Sequence, residues 1–400
     1  MKVIEGLITK KEELEERLSN LWQGGGSQRR ETLEYRIKKI DELISVYKTV
    51  PTSTFSLAEA EKILEQQVGF TEQKRKILEI LETEEFRKLK NIQKSSSVLC
   101  FVGPTGTGKT TFSQILARVL KKKFFSISLG GLSNVSDLVG TSENSSGTEI
   151  GQLTKSLIES KTPNPVILLD EIDKTKPFIY NFLIKILDPE QNQAVLDHYL
   201  DVELDFSRVI FVINANDQDK IPVYLRSRMT IVELPEYSSE EKKEIANKII
   251  QNFFAQNSTL NSKNFEIAPE TLEKLIAKTK EKGVRQLKQA FDNIFDYCVL
   301  QWAREVKKGE SESKVIVDSG LVDQIIPHDF PNIDQAEDKN KPSVNWEDKL
   351  KELQQSIRKL QEKEKLSERV WGNFWILLLV ISLIFILPLG LFYLVKRNTE

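Results

Sequence analysis

The sequence predicts an α/β fold: a parallel-sheet domain followed by a small α-helical domain, with a helical N-terminal arm and a C-terminal transmembrane helix. Three observations predict it. Residues 98–234 alternate short apolar runs with helix-like segments, as a parallel sheet crossed over by helices requires. Beyond Pro235 the apolar spacing becomes helical throughout. Residues 374–395 carry no charge at all.

At 400 residues the chain has room for two or three domains, taking about 150 residues for each. Lys and Arg number 57 against 59 Asp and Glu, so there is no global basic field, and nucleic acid is not an expected partner. Apolar residues at 40% and charged residues at 29% describe a chain that folds. Cys100 and Cys298 lie far apart without C-x-x-C spacing, and His198 and His328 are the only histidines. Zinc, a redox pair and an imidazole-based triad are therefore poorly supplied. Glu5, Glu12 and Glu13 make the N-terminus acidic and no apolar core follows, so no cleaved signal peptide is expected.

In chain order, residues 1–50 form the arm. Ile4, Leu7, Leu14, Leu18 and Leu21 are followed by Leu33, Ile37, Ile40, Ile44 and Tyr47, and Gly24-Gly25-Gly26-Ser27 interrupts the two stripes. They predict a pair of helices folded back on each other in coiled-coil fashion, or else two solvated helices without a partner. Residues 51–236 hold the sheet, with strands over 98–102, 124–129, 166–170, 208–215 and 231–234. Residues 237–326 form the helical domain. Ser238 and Glu241 have the spacing of a capping box at its first helix, and Leu272, Leu275 and Ile276, then Leu287, Ala290, Phe291 and Ile294, continue with helical spacing. Residues 327–345 are acidic and proline-punctuated, a linker. Residues 346–370 repeat Trp346, Leu350, Leu353, Ile357 and Leu360, the pattern of a stalk helix.

Residues 371–396 are the expected membrane helix. The uncharged run spans about 33 Å as a helix, against about 30 Å of bilayer hydrocarbon. Trp371, Trp375 and Tyr393 stand near its ends, where aromatic belts form, and Pro388 and Gly390 are tolerated within such a helix. Arg358, Lys359, Lys363, Lys365 and Arg369 precede it, while only Lys396 and Arg397 follow. That imbalance predicts a single-pass C-terminal anchor with the bulk of the protein on the cytoplasmic side of the cell membrane.

The chemistry is concentrated in two segments. Gly103-Pro104-Thr105-Gly106-Thr107-Gly108-Lys109-Thr110 matches G-x-x-x-x-G-K-[ST], directly after one strand and before a helix that Thr111 continues. In such a loop the backbone N–H groups and the helix N-terminus receive phosphate, the lysine reaches the outer phosphates, and the Thr110 hydroxyl is offered to Mg²⁺. The second segment, VILLDEID, is a buried strand ending in carboxylates. Asp170 is placed to hold Mg²⁺ through water, and Glu171 to polarise a water for attack on the γ-phosphate. ATP and Mg²⁺ are the expected ligands.

From Ala58 to Cys298 the chain resembles the ATPase module of the Lon proteases, within the AAA+ class of P-loop proteins. The segments LCFVGPTGTGKTTFSQILAR, FFSISLGGLS, ILLDEIDK, LDPEQNQAVLDHYLDVELDFSRVIFVINAN, IPVYLRSRM and KGVRQL occur in the family's order. The DPEQN-to-DHYL part is the most specific of them. The resemblance implies that Asn216 is the first sensor, a polar group orienting the attacking water. It implies that Arg228 is the arginine finger reaching a neighbouring subunit's nucleotide, and that Arg285 is the second sensor at the γ-phosphate. Arg226 has no counterpart in the family pattern, and His198 and Tyr199 read as structural. A finger acting in trans implies a homo-oligomeric ring, a hexamer in the family. The family's bacterial character implies a bacterial plasma membrane.

Two departures shape the functional expectation. The segments after the helical domain leave no room for the serine-lysine protease domain of the family, so peptide-bond hydrolysis is not expected of this chain. The loop that grips an unfolded polypeptide in the family falls on Ser145, Ser146 and Gly147, without aromatic or aliphatic side chains, and threading is in doubt. The expectation is a membrane-anchored ATP hydrolase that remodels a protein client or serves a separate protease. The alternative is a nucleotide-gated membrane scaffold with slow hydrolysis.

Overall fold

The computed structural model describes residues 2–21, 27–49, 56–90, 92, 98–142, 149–257, 265–308 and 315–326. The glycine turn at 24–26, the Ser145-Ser146-Gly147 loop, the linker, the stalk and the anchor lie outside the described residues. Among the described residues no helix is long and apolar enough to cross a membrane.

Four helices come first: α1 (Lys2–Ser19), α2 (Ser27–Lys48), α3 (Leu57–Glu65) and α4 (Thr71–Leu89). The alternating region then runs β1 (Val98–Val102), α5 (Lys109–Val119), β2 (Phe124–Ser128), α6 (Ser136–Val139), α7 (Gln152–Ser160), β3 (Val166–Asp170), α8 (Pro177–Leu187), β4 (Val195–Asp197), β5 (Val202–Leu204), β6 (Ile210–Ala215), α9 (Val223–Arg226) and β7 (Met229–Glu233). Short 3-10 turns at Ile172–Lys174 and Gln218–Lys220 follow β3 and β6. The last elements are α10 (Ser239–Gln256), β8 (Phe265–Ile267), α11 (Pro269–Lys278), α12 (Arg285–Lys308), β9 (Val315–Val317) and α13 (Ser319–Ile325).

The main sheet has the order β2-β3-β6-β1-β7, parallel throughout. Strands buried on both faces read as continuous apolar runs, which is why β1 and β3 stand out in the sequence. Alternate side chains feed two clusters. Ile167, Leu169 and Ile213 pack on one face, and Val166, Leu168 and Val212 pack on the other with Phe112, Ile115 and Leu116 of α5. The register aligns Val102 with Ala215 and Leu169 with Ile213. The carboxyl ends of β1, β3 and β6 therefore open at one edge of the sheet, where ligands bind in open α/β folds.

The N-terminal helices are not solvated. Leu7, Leu14, Leu33, Ile40, Leu43 and Ile44 share one apolar cluster with the first sheet face. Polar contacts fix the arm to the β4–β5 hairpin and the chain after it. Lys10 Nζ pairs with Asp201 at 2.8 Å, and the Tyr47 hydroxyl donates to Asp205 O and accepts from Asp205 N, each at 3.0 Å. Buried Arg36 donates to Leu200 O at 3.3 Å and lies 5.7 Å from the Tyr199 ring centre.

The second domain carries a correction. Its sequence predicts helices alone, but β8 and β9 pair in parallel, joining Phe265 to Val315 and Ile267 to Val317. Three-residue strands show too little alternation to be read from sequence, and their partners lie far apart in the chain. The β4–β5 hairpin escapes for the same reason of length. At the start of α10 the capping box is closed: Glu241 N donates to Ser238 Oγ at 3.2 Å and Ser238 N to Glu241 Oε2 at 2.8 Å.

Candidate functional site

The loop from Gly103 to Thr110 closes between β1 and α5. Gly106 and Gly108 adopt φ of 81° and 94°, where a side chain would be strained, and Gly108 caps α5 in that left-handed conformation. Gly103 N donates to Ala215 O at 3.2 Å, tying the loop to the end of β6. Thr107 is fully buried, its hydroxyl donating to Pro104 O at 2.9 Å. Pro104 and Thr105 are half-buried on the loop's outer turn, and Thr111 follows on the first turn of α5. Lys109, 9% exposed, folds back so that Nζ donates to Gly103 O at 2.7 Å and Pro104 O at 2.9 Å. Carbonyl oxygens thus hold an ammonium inside a loop whose N–H groups suit an anion.

The carboxylates meet this loop from β3. Thr110 Oγ1 donates to Asp170 Oδ2 at 3.4 Å, and Asp170 Oδ1 accepts Glu171 N at 3.0 Å. Glu171 has left-handed backbone angles, φ 59° and ψ 43°, costly for a side chain of its type. That turn sends its carboxylate toward β2, where Ser128 Oγ donates to Oε2 at 3.3 Å and Lys174 Nζ pairs with Oε1 at 3.1 Å. Ser128 and Lys174 were not legible as site residues: strand pairing brings Ser128 level with Asp170, and only the turn after β3 brings Lys174 back.

Asn216 follows β6 and, with Gly103 and Pro104, lines a cleft of about 400 Å³. Beneath it the buried Asp173 carboxyl is pushed above the usual carboxylate range by burial, against the backbone N–H groups of Asn216 and Asp217. Arg285, exposed at the first position of α12, has its backbone N 3.1 Å from where a Cβ on Gly106 would stand. Tyr237, its ring tilted against Phe70 with centroids 4.7 Å apart, donates its hydroxyl to Thr107 O at 3.2 Å. Arg228 is held elsewhere, pairing through Nη1 with Asp188 Oδ2 at 3.1 Å, while Arg226 pairs with Asp219 at 2.9 Å. The structure therefore gathers the loop, Asp170, Glu171, Asn216 and the start of α12, and leaves Arg228 paired with the DPEQN segment.

Comparison with known proteins matches residues 99–237 to the family described as ATPase family associated with various cellular activities (AAA). Residues 99–237, from β1 to the chain just past β7, are thus similar to an AAA ATPase domain. Over 292 residues, 68% of this chain and 32% of the relative, it is 38% identical to the Lon protease homolog 2, peroxisomal, of Zea mays. Over 303 residues, 74% of this chain and 37% of the relative, it is 33% identical to the Lon protease of Campylobacter concisus. The chain spans about a third of the length of these relatives. The similarity extends well past the AAA match, over about 70% of the chain. A domain of this family implies nucleotide binding.

Proposed function

We propose that the protein is a membrane-anchored, Lon-like AAA+ ATPase that binds and hydrolyses ATP to remodel a protein partner, without cleaving peptide bonds itself. The observation that carries this reading is the meeting of the Lys109 loop with Thr110, Asp170 and Glu171 at the carboxyl edge of the sheet. A hydroxyl and a carboxylate at hydrogen-bonding distance are hard oxygen donors suited to Mg²⁺. Bound ATP with Mg²⁺ supplies the phosphoanhydride and a counter-charge for its leaving group. With ATP bound, Lys109 would exchange carbonyl partners for phosphate oxygens, Thr110 and Asp170 would hold the ion, Glu171 would take the proton of the attacking water, and Asn216 would orient that water. Arg285 reaches the γ-phosphate from α12. Arg228 leaves Asp188 to serve a neighbouring subunit in a ring, for which a hexamer is the family's arrangement.

The uncharged run 374–395 supports the anchor, and the basic residues before it support a cytoplasmic ATPase domain at the cell membrane. The polar Ser145-Ser146-Gly147 favours a second reading, a nucleotide-gated scaffold that recruits partners without threading them. The test is ATP turnover by the full chain in lipid vesicles, with co-flotation and casein cleavage measured on the same sample. The parent should float, hydrolyse ATP and leave casein intact. Lys109→Ala should lose nucleotide binding, and Glu171→Gln should bind ATP and turn it over about 10² to 10⁴ times more slowly. Equal turnover by the glutamine variant would remove Glu171 from the mechanism. Turnover unchanged by any added protein client would favour the scaffold.

A further inference from the structure

The turn 280–285 joins α11 to α12 and lies directly on the phosphate loop. Val284 N donates to Gly106 O at 3.1 Å. Gly283 packs so closely that a Cβ there would stand 2.3 Å from Gly106 C and 2.4 Å from Thr105 O. From the α10 side, Tyr237 N donates to Lys282 O at 3.2 Å and Lys242 Nζ to Glu281 O at 2.7 Å. The second domain thus meets the loop through backbone, at a distance any side chain on residue 283 would increase.

Glu281 sits inside this turn, 2% exposed. Its Oε1 accepts the backbone N–H of Gln286, one of the first-turn donors that α12 leaves unpaired. Gln286 answers with its own side-chain oxygen, accepting Lys280 N at 3.1 Å. The other carboxylate oxygen, Oε2, completes no hydrogen bond among the described residues and lies 3.0 Å from where a Cβ on Gly106 would stand. A cap alone does not call for this arrangement. An Asp or Ser at the N-cap position would satisfy the same donor at the surface, whereas a buried carboxylate with an unmatched oxygen costs stability. What the buried position achieves is proximity: one side chain bonds the first turn of α12, which begins with Arg285, and stands beside the phosphate loop at Gly106.

We propose that Glu281 is a positioning residue that couples the phosphate loop to Arg285. Its carboxylate holds the first turn of α12 against Gly106, so that a shift of the loop on filling with phosphate is transmitted to the residue that starts the helix. The inference rests on the ATPase reading, and it assigns Glu281 no contact with the nucleotide.

The full chain is tested with Glu281→Ala, Glu281→Gln and Glu281→Ala in an Arg285→Ala background. Glu281→Ala should lower kcat for ATP about 10- to 100-fold with little change in KM, the signature of lost orientation rather than lost binding. Glu281→Gln keeps the acceptor for Gln286 N and should regain most of that turnover. In the Arg285→Ala background the alanine change should cost nothing further, because the two act in one unit. A normal kcat in Glu281→Ala, a glutamine variant as slow as the alanine one, or losses that multiply in the double variant would each overturn the proposal. Hydrogen exchange supplies a readout independent of turnover. Saturating ATP should slow exchange at the Gln286 amide in the parent and not in Glu281→Ala, whose exchange without nucleotide runs about fivefold faster. Equal slowing in both chains refutes the coupling, whereas a parent that exchanges as expected but hydrolyses no ATP refutes only the ATPase reading. Should Glu281→Ala fail to fold, Glu281→Asp replaces it in every arm, its shorter reach predicting the same losses.

Discussion

Asp173 shows how one buried charge ties stability to pH beside the site. It is 9% exposed, and burial raises its pKa against the opposing effect of the backbone N–H groups of Asn216 and Asp217. The folded chain therefore keeps this proton to higher pH than the unfolded chain, whose carboxyl titrates near about 3.9. Stability from this group is full below that value and is lost as pH rises through the folded value, because the native state then holds the extra proton less and less. Asp173→Asn removes the titration while nearly preserving shape. The melting temperature of the variant minus that of the parent should be smallest at about pH 4 and grow toward pH 7. A gap that is constant or shrinks with pH would show that Asp173 is not held as a strained carboxyl. Lys74 illustrates the opposite charge, its ammonium pushed down by burial and by nearby Lys248.

Among the elements, what the sequence disclosed and what it hid divide along a physical line. β1, β3 and the loop were legible because consecutive apolar residues ending in Gly or Asp admit little besides a two-sided buried strand. The capping box was legible because Ser238 and Glu241 act on their own backbone. β4, β5, β8 and β9 were hidden, since three residues carry no periodicity and their pairing is decided elsewhere. Glu281 was hidden for a related reason: a glutamate in a charged turn looks solvated until packing encloses it. The arm shows both cases at once. The stripe of Leu33, Ile40 and Ile44 announced a buried face, but only the fold shows that the face joins the sheet's own cluster. From that shared cluster, Ile40→Ala should destabilise the whole ATPase sheet by about 2–5 kcal/mol. Urea unfolding followed by far-UV circular dichroism and by Trp fluorescence should show one transition shifted in both signals. A separate early transition, with the main one unmoved, would mean that the arm is an independent appendage.

At the scale of the whole molecule, the position of Arg228 sets the question of assembly. Lys109, Thr110, Asp170 and Glu171 converge within one chain, whereas Arg228 is more than a third exposed and paired with Asp188, whose carboxyl is held below its usual range by the Glu190 backbone N–H and by Arg228 itself. The pair is partly buried, with Arg228 the more exposed partner, so serving a neighbour's phosphate requires Arg228 to give up Asp188 for another anion. If the site is completed in trans, two defects on different chains must be able to complement each other. Arg228→Ala keeps a sound nucleotide site and lacks the donated charge; Lys109→Ala lacks the site and keeps the charge. Each alone should lose about 10³-fold or more in turnover. Mixed in equal amounts at a concentration where the parent is assembled, they should recover activity, because sound sites then stand beside sound arginines in part of every ring. Recovery should fall on dilution as assemblies dissociate. A mixture as silent as its components, with assembly verified by sedimentation, would place the catalytic arginine within the same chain as the phosphate loop and remove the reason for a ring.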